Sequence, residues 1–286
     1  MSTIETFDLD RTGKIDLSRI YNQPDPRAYY QTLVRFDYRI PAEAAPVFRH
    51  VIAARRAARR RRRAMVLDVG SSYGVNAAIL KHGYALRDLY RLYDAEAAAR
   101  LSRDGLIARD ARLFRGDGDR DLLAVGLDSA ARAVRYADRA RILDAGLAAN
   151  FERRPPTPAE RRRLRGTDLV ISTGAIGYVG VPTFARILDC AGDAPWFALF
   201  ALRMFPVGRI AAALRRSGYA VRKLRDRTFR QRRFANRDEA EEVLARLSAM
   251  GIDPTGREAA GWLHAEFYLA HPADEPTPLI PGLRPS

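Results

Sequence analysis

Short apolar runs alternating with amphipathic stretches predict an α/β fold: a doubly wound, mostly parallel, seven-stranded sheet with an antiparallel last strand. Three observations carry this. Met65-Val66-Leu67-Asp68-Val69 runs directly into the turn Gly70-Ser71-Ser72-Tyr73-Gly74, and an amphipathic helix starts at Val75. An acid two residues before a tight strand-to-helix turn is how such sheets receive a cofactor. Glycine lets the backbone approach a ligand, and the helix start offers unpaired N–H groups. Trp196 to Ala201 is apolar throughout, as expected of a strand buried on both faces. Two strand runs near the C-terminus, separated by one helix, close the order with an antiparallel pair.

The elements follow in sequence. Residues 1–63 hold no strand run. Tyr21 to Arg27 is a turn-rich loop, Ala28 to Val34 is helical, and Ala42 to Arg62 is a second helix with Val47, Val51 and Ala54 on one face. This is a helical N-terminal extension. Strand one is Met65 to Val69, with its helix at Val75 to His82. Gly83 to Arg120 carries Leu86, Leu89, Tyr90 and Tyr93 at helical spacing, then Leu101, Leu106 and Ile107. It is too long for a loop, so residues 83–120 read as a helical insertion. Strand two, Leu122 to Leu127, ends in Asp128, and a helix begins at Ser129 with Ala133, Val134 and Ala137 on its apolar face. Strand three, Leu147 to Ala149, runs into Asn150-Phe151-Glu152. Arg153 to Arg165, broken by Pro155, Pro156 and Pro158, reads as a surface loop into strand four, Asp168 to Ser172. A helix over Phe184 to Ala191 precedes strand five, Trp196 to Ala201. Helices at Ile210 to Arg216 and Glu239 to Met250 accompany the last strands, Ala220 to Phe229 and Trp262 to Ala270. The sheet domain spans 64–272, and the proline-rich tail, 273–286, is expected to be loose.

The chain has 286 residues, 47% of them apolar, enough for one elaborated domain with a full core. Its apolar runs are far shorter than a membrane span, and Met1-Ser2-Thr3-Ile4-Glu5 lacks a signal-peptide pattern, so the cytoplasm is the expected location and no membrane partner is expected. The single cysteine, Cys190, excludes intramolecular disulfides and cysteine-based metal sites, and no metal is expected. The net charge of +15 invites a nucleic-acid partner. Only Lys14, Lys81 and Lys223 are lysines among 49 basic residues, however, a skew that reads as GC-rich coding as much as selection for an anion. The runs Arg55 to Arg63 and Arg153 to Arg165 lack the interleaved aromatics that stack on unpaired bases, so nucleic acid is not the favoured partner.

Four motifs compete for the first turn. A dinucleotide fingerprint, G-x-G-x-x-G, fails because Ser72 separates Gly70 from Gly74, and a phosphate loop fails for want of its lysine. Gly70-Ser71-Ser72-Tyr73-Gly74 does fit the G-x-S-x-G elbow of a serine hydrolase, with Ser72 as nucleophile and His264 or His271 to complete a triad. That elbow normally follows several strands, and this turn follows the first. The fourth pattern is Asp-x-Gly-x-Gly-x-Gly with serine tolerated in the middle, which puts Asp68, Gly70, Ser72 and Gly74 in register.

By this last pattern the chain from about Met65 to Pro272 resembles class I S-adenosylmethionine (SAM)-dependent methyltransferases of the bacterial, small-molecule type, whose sheet is Rossmann-like. Val125-Gly126-Leu127-Asp128 looks like their second motif, set further along than the usual spacing of about twenty residues by the insertion. Asn150-Phe151 stands where the family has an acid and an apolar neighbour facing adenine, and Asp168 to Tyr178 resembles the fourth motif. The terminal strand pair resembles the reversed last hairpin of that fold, and Tyr21 to Pro41 is similar to the opening of bacterial members.

The resemblance implies SAM as cofactor. Gly70, Ser71, Ser72 and Gly74 would pass under its methionine moiety, the turn's N–H groups serving the carboxylate, and Asp68 would hold the ammonium directly or through water. Asp128, with Ser129, would bind the ribose, and Asn150 and Phe151 the adenine. Ser172, at the end of strand four, joins the cofactor set, and with Thr173 and Tyr178 it faces the acceptor. Asp68 capping the turn and Asp128 capping the next helix are the structural alternatives. The Asn-Pro-Pro-Tyr motif of DNA-adenine and protein-glutamine methylating enzymes is absent. Tyr178 and His264 are the candidate catalytic residues, His264 as general base for a hydroxyl acceptor. Tyr21, Tyr29, Tyr30 and Tyr38 could line a pocket closed by the extension. The expected function is methyl transfer to an O or N atom of a small-molecule acceptor, by in-line displacement under a lid made of the extension and the insertion. The alternatives are a methyltransferase acting on RNA or another polyanion, a SAM-binding protein without transfer activity, and the Ser72 hydrolase. A homodimer is compatible with each.

Overall fold

The computed structural model describes residues 8–116, 118–225 and 227–278. Helices α1 (Ser18–Tyr21), α2 (Arg27–Arg35) and α3 (Ile40–Arg59) precede strand β1 (Ala64–Val69) and α4 (Val75–Leu80). The insertion forms α5 (Leu86–Asp94), α6 (Glu96–Ala99) and α7 (Arg103–Leu113). The alternating part continues with β2 (Leu122–Asp128), α8 (Ala131–Arg139), β3 (Ala145–Ala148), α9 (Pro158–Leu164), β4 (Leu169–Ser172), α10 (Val181–Ala191), β5 (Trp196–Leu202) and α11 (Gly208–Arg216). Then come β6 (Tyr219–Lys223), β7 (Phe229–Arg233), α12 (Arg237–Ala249) and β8 (Trp262–Pro272).

The sheet runs in the order β3-β2-β1-β4-β5-β8-β6, with β7 also paired to β8. β1 to β5 are parallel and β8 is antiparallel to β5, as the sequence predicts. The count is eight strands rather than seven because the expected strand at Ala220 to Phe229 is broken. β6 pairs with the second half of β8 and β7 with its first half, so two short strands share one position in the sheet. One further difference is α9, where a loop was expected. Thr157 caps it, its hydroxyl accepting from the N–H of Glu160 while the Glu160 carboxylate accepts from the N–H of Thr157, and Pro158 occupies the first turn. The prolines read as a break are a helix start.

Strand side chains alternate between two layers. Leu67, Val69, Val125, Leu127, Val170, Phe197 and Leu199 share one core with α10 and α11. Val66, Leu169, Ile171, Ala198 and Phe200 share the other with α3 and α12. Extension and insertion build a third core around Tyr29, Tyr30, Leu89 and Tyr93, in which the rings of Tyr30 and Tyr93 stack at 4.5 Å. Part of the tail is anchored as well. Glu275 pairs with buried Arg55 at 3.0 Å and accepts from the indole of Trp196 at 2.7 Å, while residues 279–286 lie outside the described residues. The longest helix, α3, is 20 residues, and among the described residues no helix is long and apolar enough to cross a membrane.

The N-terminal segment is tied to the far end of the chain by Glu239 at the start of α12. Its buried carboxylate receives both terminal nitrogens of buried Arg232, at 2.7 and 2.5 Å, and the N–H groups of Ile15 and Ala235 at 2.9 and 3.0 Å. Glu239→Ala strands the guanidinium in the interior and should cost about 3–5 kcal/mol in urea unfolding. The double variant Arg232→Met/Glu239→Leu should recover most of that loss.

Candidate functional site

β1 is where the order of the strands reverses: β2 and β3 lie on one side of it, β4 and β5 on the other. The chain beyond β1 and the chain beyond β4 therefore turn to opposite faces of the sheet, leaving a crevice where α/β sheets bind ligands. A cavity of about 570 Å³ occupies this place. Its sheet-edge lining is Gly70, Ser71, Ser72, Asp128, Ser129, Asn150, Phe151, Thr173 and Tyr178, so eight of the residues expected at the site, with Thr173, are brought together. Asn76 of α4 also lines it, the N-terminal segment adds residues including Arg11, Lys14, Tyr21, Tyr29 and Tyr38, and β7 adds Gln231 and Arg232. The insertion does not line the cavity. It buttresses the extension, with the Tyr90 hydroxyl donating to the carbonyl of Tyr38 at 2.6 Å and Arg27 donating to the carbonyls of Ala98 and Leu101 at 3.1 Å.

The turn after β1 needs its glycines for different reasons. Gly70 has φ +80°, and a Cβ there would lie 2.8 Å from the Cβ of Ala175, so it lets the loops after β1 and β4 meet. Gly74 has φ +79° and a Cβ would lie 2.7 Å from Ile142; it lies outside the cavity lining and sets helix packing. The turn's N–H groups are largely spent within the protein. Those of Gly70 and Ser71 donate to the carbonyl of Leu127, at 2.8 and 3.4 Å, that of Gly74 to Ser71 at 2.8 Å, and that of Ser72 to Asp128 at 2.8 Å. The expectation that they serve a ligand carboxylate is corrected accordingly.

Asp128 ends β2 with one oxygen receiving the Ser72 N–H and the other the Ala130 N–H at 2.9 Å. A carboxylate has about four acceptor sites, so acceptor capacity remains for a ligand. Burial raises its pKa, against the N–H groups of Ala130, Ser72 and Ser129. Asp68 is buried one layer below the cavity wall. Burial pushes it up to about 7 from 3.8, the Asn76 amide pulling it down and the charge of Asp128 pushing it further up. It reaches the cavity through Asn76, whose amide nitrogen donates to both Asp68 oxygens at 3.1 and 3.2 Å and to the Thr173 hydroxyl at 3.2 Å. Asn76 was missed. An asparagine in the first turn of the helix, eight residues after the acid, is the signal that could have found it.

Asn150 uses its amide oxygen on the N–H groups of Glu152 and Arg153, at 3.0 and 3.2 Å, which leaves its NH₂ as the donor for a base edge. Tyr178 lines the cavity as a neutral phenol: burial raises its pKa, and its hydroxyl donates to Asp10 at 2.6 Å. Asp10 is a further residue the sequence did not disclose. Burial pushes its pKa up, yet hydrogen bonds from Thr12, Tyr178 and the Lys14 N–H outweigh this and hold it low. Ser172 is fully buried and does not line the cavity; its oxygen receives the Ala175 N–H at 3.3 Å and shapes the loop.

His264 is not brought to the site. Ala265 pairs with Phe229 and faces the α3 layer, so its neighbour His264 points to the opposite face, where its Nδ1 meets the Thr228 hydroxyl at 2.9 Å. Burial, then Arg203, Arg230 and Arg257, lower its pKa to about 4. None of the four histidines lines the cavity, and Ser72, although its φ of 48° is left-handed, has no imidazole to activate it. The hydrolase reading therefore loses its base. Much of the first arginine run is structural: Arg55 pairs with Glu275, Arg56 with Asp119, Arg59 with Asp193 and Arg62 with Asp121. Among the described residues no cluster of acids, histidine and cysteine forms a metal site.

No protein-family model and no curated protein matches the chain. Solved structures similar to it include the plantazolicin methyltransferase BamL, 10% identical over 89% of this chain and 99% of that one, with a TM-score of 0.44. A SAM-dependent methyltransferase from Geobacter sulfurreducens in complex with S-adenosyl-L-homocysteine is 13% identical over 77% and 90%, with a TM-score of 0.35. The 4+2 cyclase SpnF is 14% identical over 73% and 75%, also at 0.35. These likenesses bear no weight for function, which rests on the residues of the cavity.

Asp68 gives the site a pH signature. An acid whose pKa is raised on folding contributes stability that is fully present below about pH 4 and lost as pH rises through about 7. Asp68→Asn should remove that decline: in urea unfolding the variant should gain on the parent from pH 4 to 7 and exceed it at pH 8.

Proposed function

We propose that this protein transfers a methyl group from SAM to an O or N atom of a small-molecule acceptor. The observation that carries the reading is the meeting, at the sheet's switch point, of the Gly70–Ser72 turn, Asp128, Asn150, Phe151 and Thr173 around one cavity. Its volume of about 570 Å³ lies within the ~300–1,000 Å³ typical of sites that enclose such ligands.

The residues present fit the cofactor. Asp128 keeps acceptor capacity at the cavity wall, which suits a ribose hydroxyl. Phe151 is buried and offers an apolar surface to the adenine, and the NH₂ of Asn150 a donor to a ring nitrogen. Asp68, acting through Asn76 and Thr173, places negative potential under the end of the cavity where an ammonium would lie. When bound, SAM supplies the activated methyl carbon on its sulfonium. What the protein contributes is alignment of the acceptor with that carbon and exclusion of water. The N-terminal segment with Tyr21, Tyr29 and Tyr38 provides the enclosure, and the Tyr178 hydroxyl, its one proton given to Asp10, is a fixed acceptor at the rim. The sulfonium activates the methyl carbon; an amine acceptor attacks as the neutral base and sheds its proton to water afterwards, whereas a hydroxyl acceptor must give its proton up during transfer, to water or to a carboxylate lining the cavity.

S-adenosylhomocysteine should raise the melting temperature, and NAD should not. Asp128→Ala should weaken S-adenosylhomocysteine about a hundredfold by titration calorimetry, as expected for a hydrogen bond to a charged group. Covalent labelling of Ser72 by a fluorophosphonate would overturn the proposal.

A further inference from the structure

We infer that Lys14 is the anion-recognition point of the acceptor subsite, so that the acceptor carries a carboxylate. This deepens the methyl-transfer reading and rests on it for the word acceptor. Lys14 is nine-tenths buried, at 9% exposure, and lines the cavity. Its ammonium stands 5.3 Å from the centre of the Tyr178 ring. Of the three lysines, Lys81 pairs with Asp144 and Lys223 with Glu266, whereas Lys14 has no carboxylate within ion-pair distance among the described residues.

The acids around it are already committed. Asp10 receives the Thr12 N–H and hydroxyl, the Tyr178 hydroxyl and the Lys14 N–H. Glu239 is taken by Arg232 and two N–H groups. A buried cation without a counter-ion is costly, and burial followed by the charge of Arg232 lowers the Lys14 pKa to about 8, against the pull of Glu239 and Asp10. A ligand anion would relieve that cost, which preorganises the cavity for one. One buried positive charge matches one carboxylate; of the other cations lining the cavity, Arg232 is spent on Glu239 and Arg11 is exposed to solvent, so a phosphate dianion is offered no second buried charge. Gln231 lines the same cavity with an amide oxygen that is buried and unpartnered, a place for an N–H or O–H of the same molecule. Hydroxy- and amino-acids are the class that satisfies both.

The groups facing Lys14 are Arg232 from β7, Glu239 from α12, Asp10 from its own segment and the neutral Tyr178 from the loop after β4. The amine is charged below about pH 8, so carboxylate binding should fall as pH rises beyond it.

The test is calorimetry on protein saturated with S-adenosylhomocysteine. A panel of small aromatic and aliphatic hydroxy- and amino-carboxylates is compared with the matched amides and with phenyl phosphate. At least one acid should bind about tenfold or more tightly than its amide and than phenyl phosphate, and weaken above pH 8. Lys14→Met should erase the acid preference and leave the S-adenosylhomocysteine affinity unchanged. In parallel, the acid that binds should protect Lys14, but not Lys81 or Lys223, from carbamylation by cyanate, read by mass spectrometry on the unaltered chain. Equal affinity for acid and amide, binding by no acid, preference for the phosphate, or an acid preference retained in Lys14→Met would each overturn the inference. Failure of S-adenosylhomocysteine to bind would instead sink the methyl-transfer reading, while Lys14-dependent carboxylate binding, measured without it, would still stand as an anion site.

Discussion

The carboxylate of Asp128, reaching from the end of β2 to the N–H of Ser72, is the interaction on which the site depends. It ties the first turn to the neighbouring strand at the point where the sheet opens. Ser72 sits there at φ 48°, a conformation a serine adopts only when its surroundings hold it. The Leu127 carbonyl fixes the same turn from the backbone side. Because most of the turn's own donors are consumed in this way, what it presents to the cavity is shape and close approach, and the recognition chemistry passes to side chains.

Those side chains come from both ends of the chain. The N-terminal segment reaches the cavity because Glu239, in the last helix, accepts the Ile15 N–H while neutralising Arg232. A second hold comes from the insertion, whose Tyr90 and the carbonyls at Ala98 and Leu101 fasten the extension. The enclosure is therefore a packed wall with its own core of tyrosines rather than a loose flap. Of its buried charges, Arg232 and Glu239 balance one another, whereas Lys14 has no ion-pair partner among the described residues.

Strong local signals made part of this legible in advance. An apolar strand, an acid, glycines and an amphipathic helix are written in consecutive residues, so β1, its turn and Asp128 at the end of β2 could be read directly. The capping box Thr157-Pro158-Ala159-Glu160 was equally local, yet the prolines beside it led to a loop reading. His264 failed for a different reason. Its residue type suited a general base, but a strand side chain's face is decided by register, and pairing of Ala265 with Phe229 turns His264 away. The arginine run was already not favoured as a binding surface, but its carboxylate partners, scattered from Asp119 to Glu275, could not be read from the sequence.

By itself the sequence determined the alternating architecture, the antiparallel end of the sheet and the glycine turn after β1, because periodicity and turn chemistry act over a few neighbouring residues. Tertiary structure alone decided that β6 and β7 share one partner strand, that Asp68 meets the cavity wall through Asn76, and that Lys14 lines the cavity with no ion-pair partner among the described residues. Each of these depends on which distant groups burial brings together and which it leaves without a partner. Spacing along a chain does not encode that balance of desolvation and pairing.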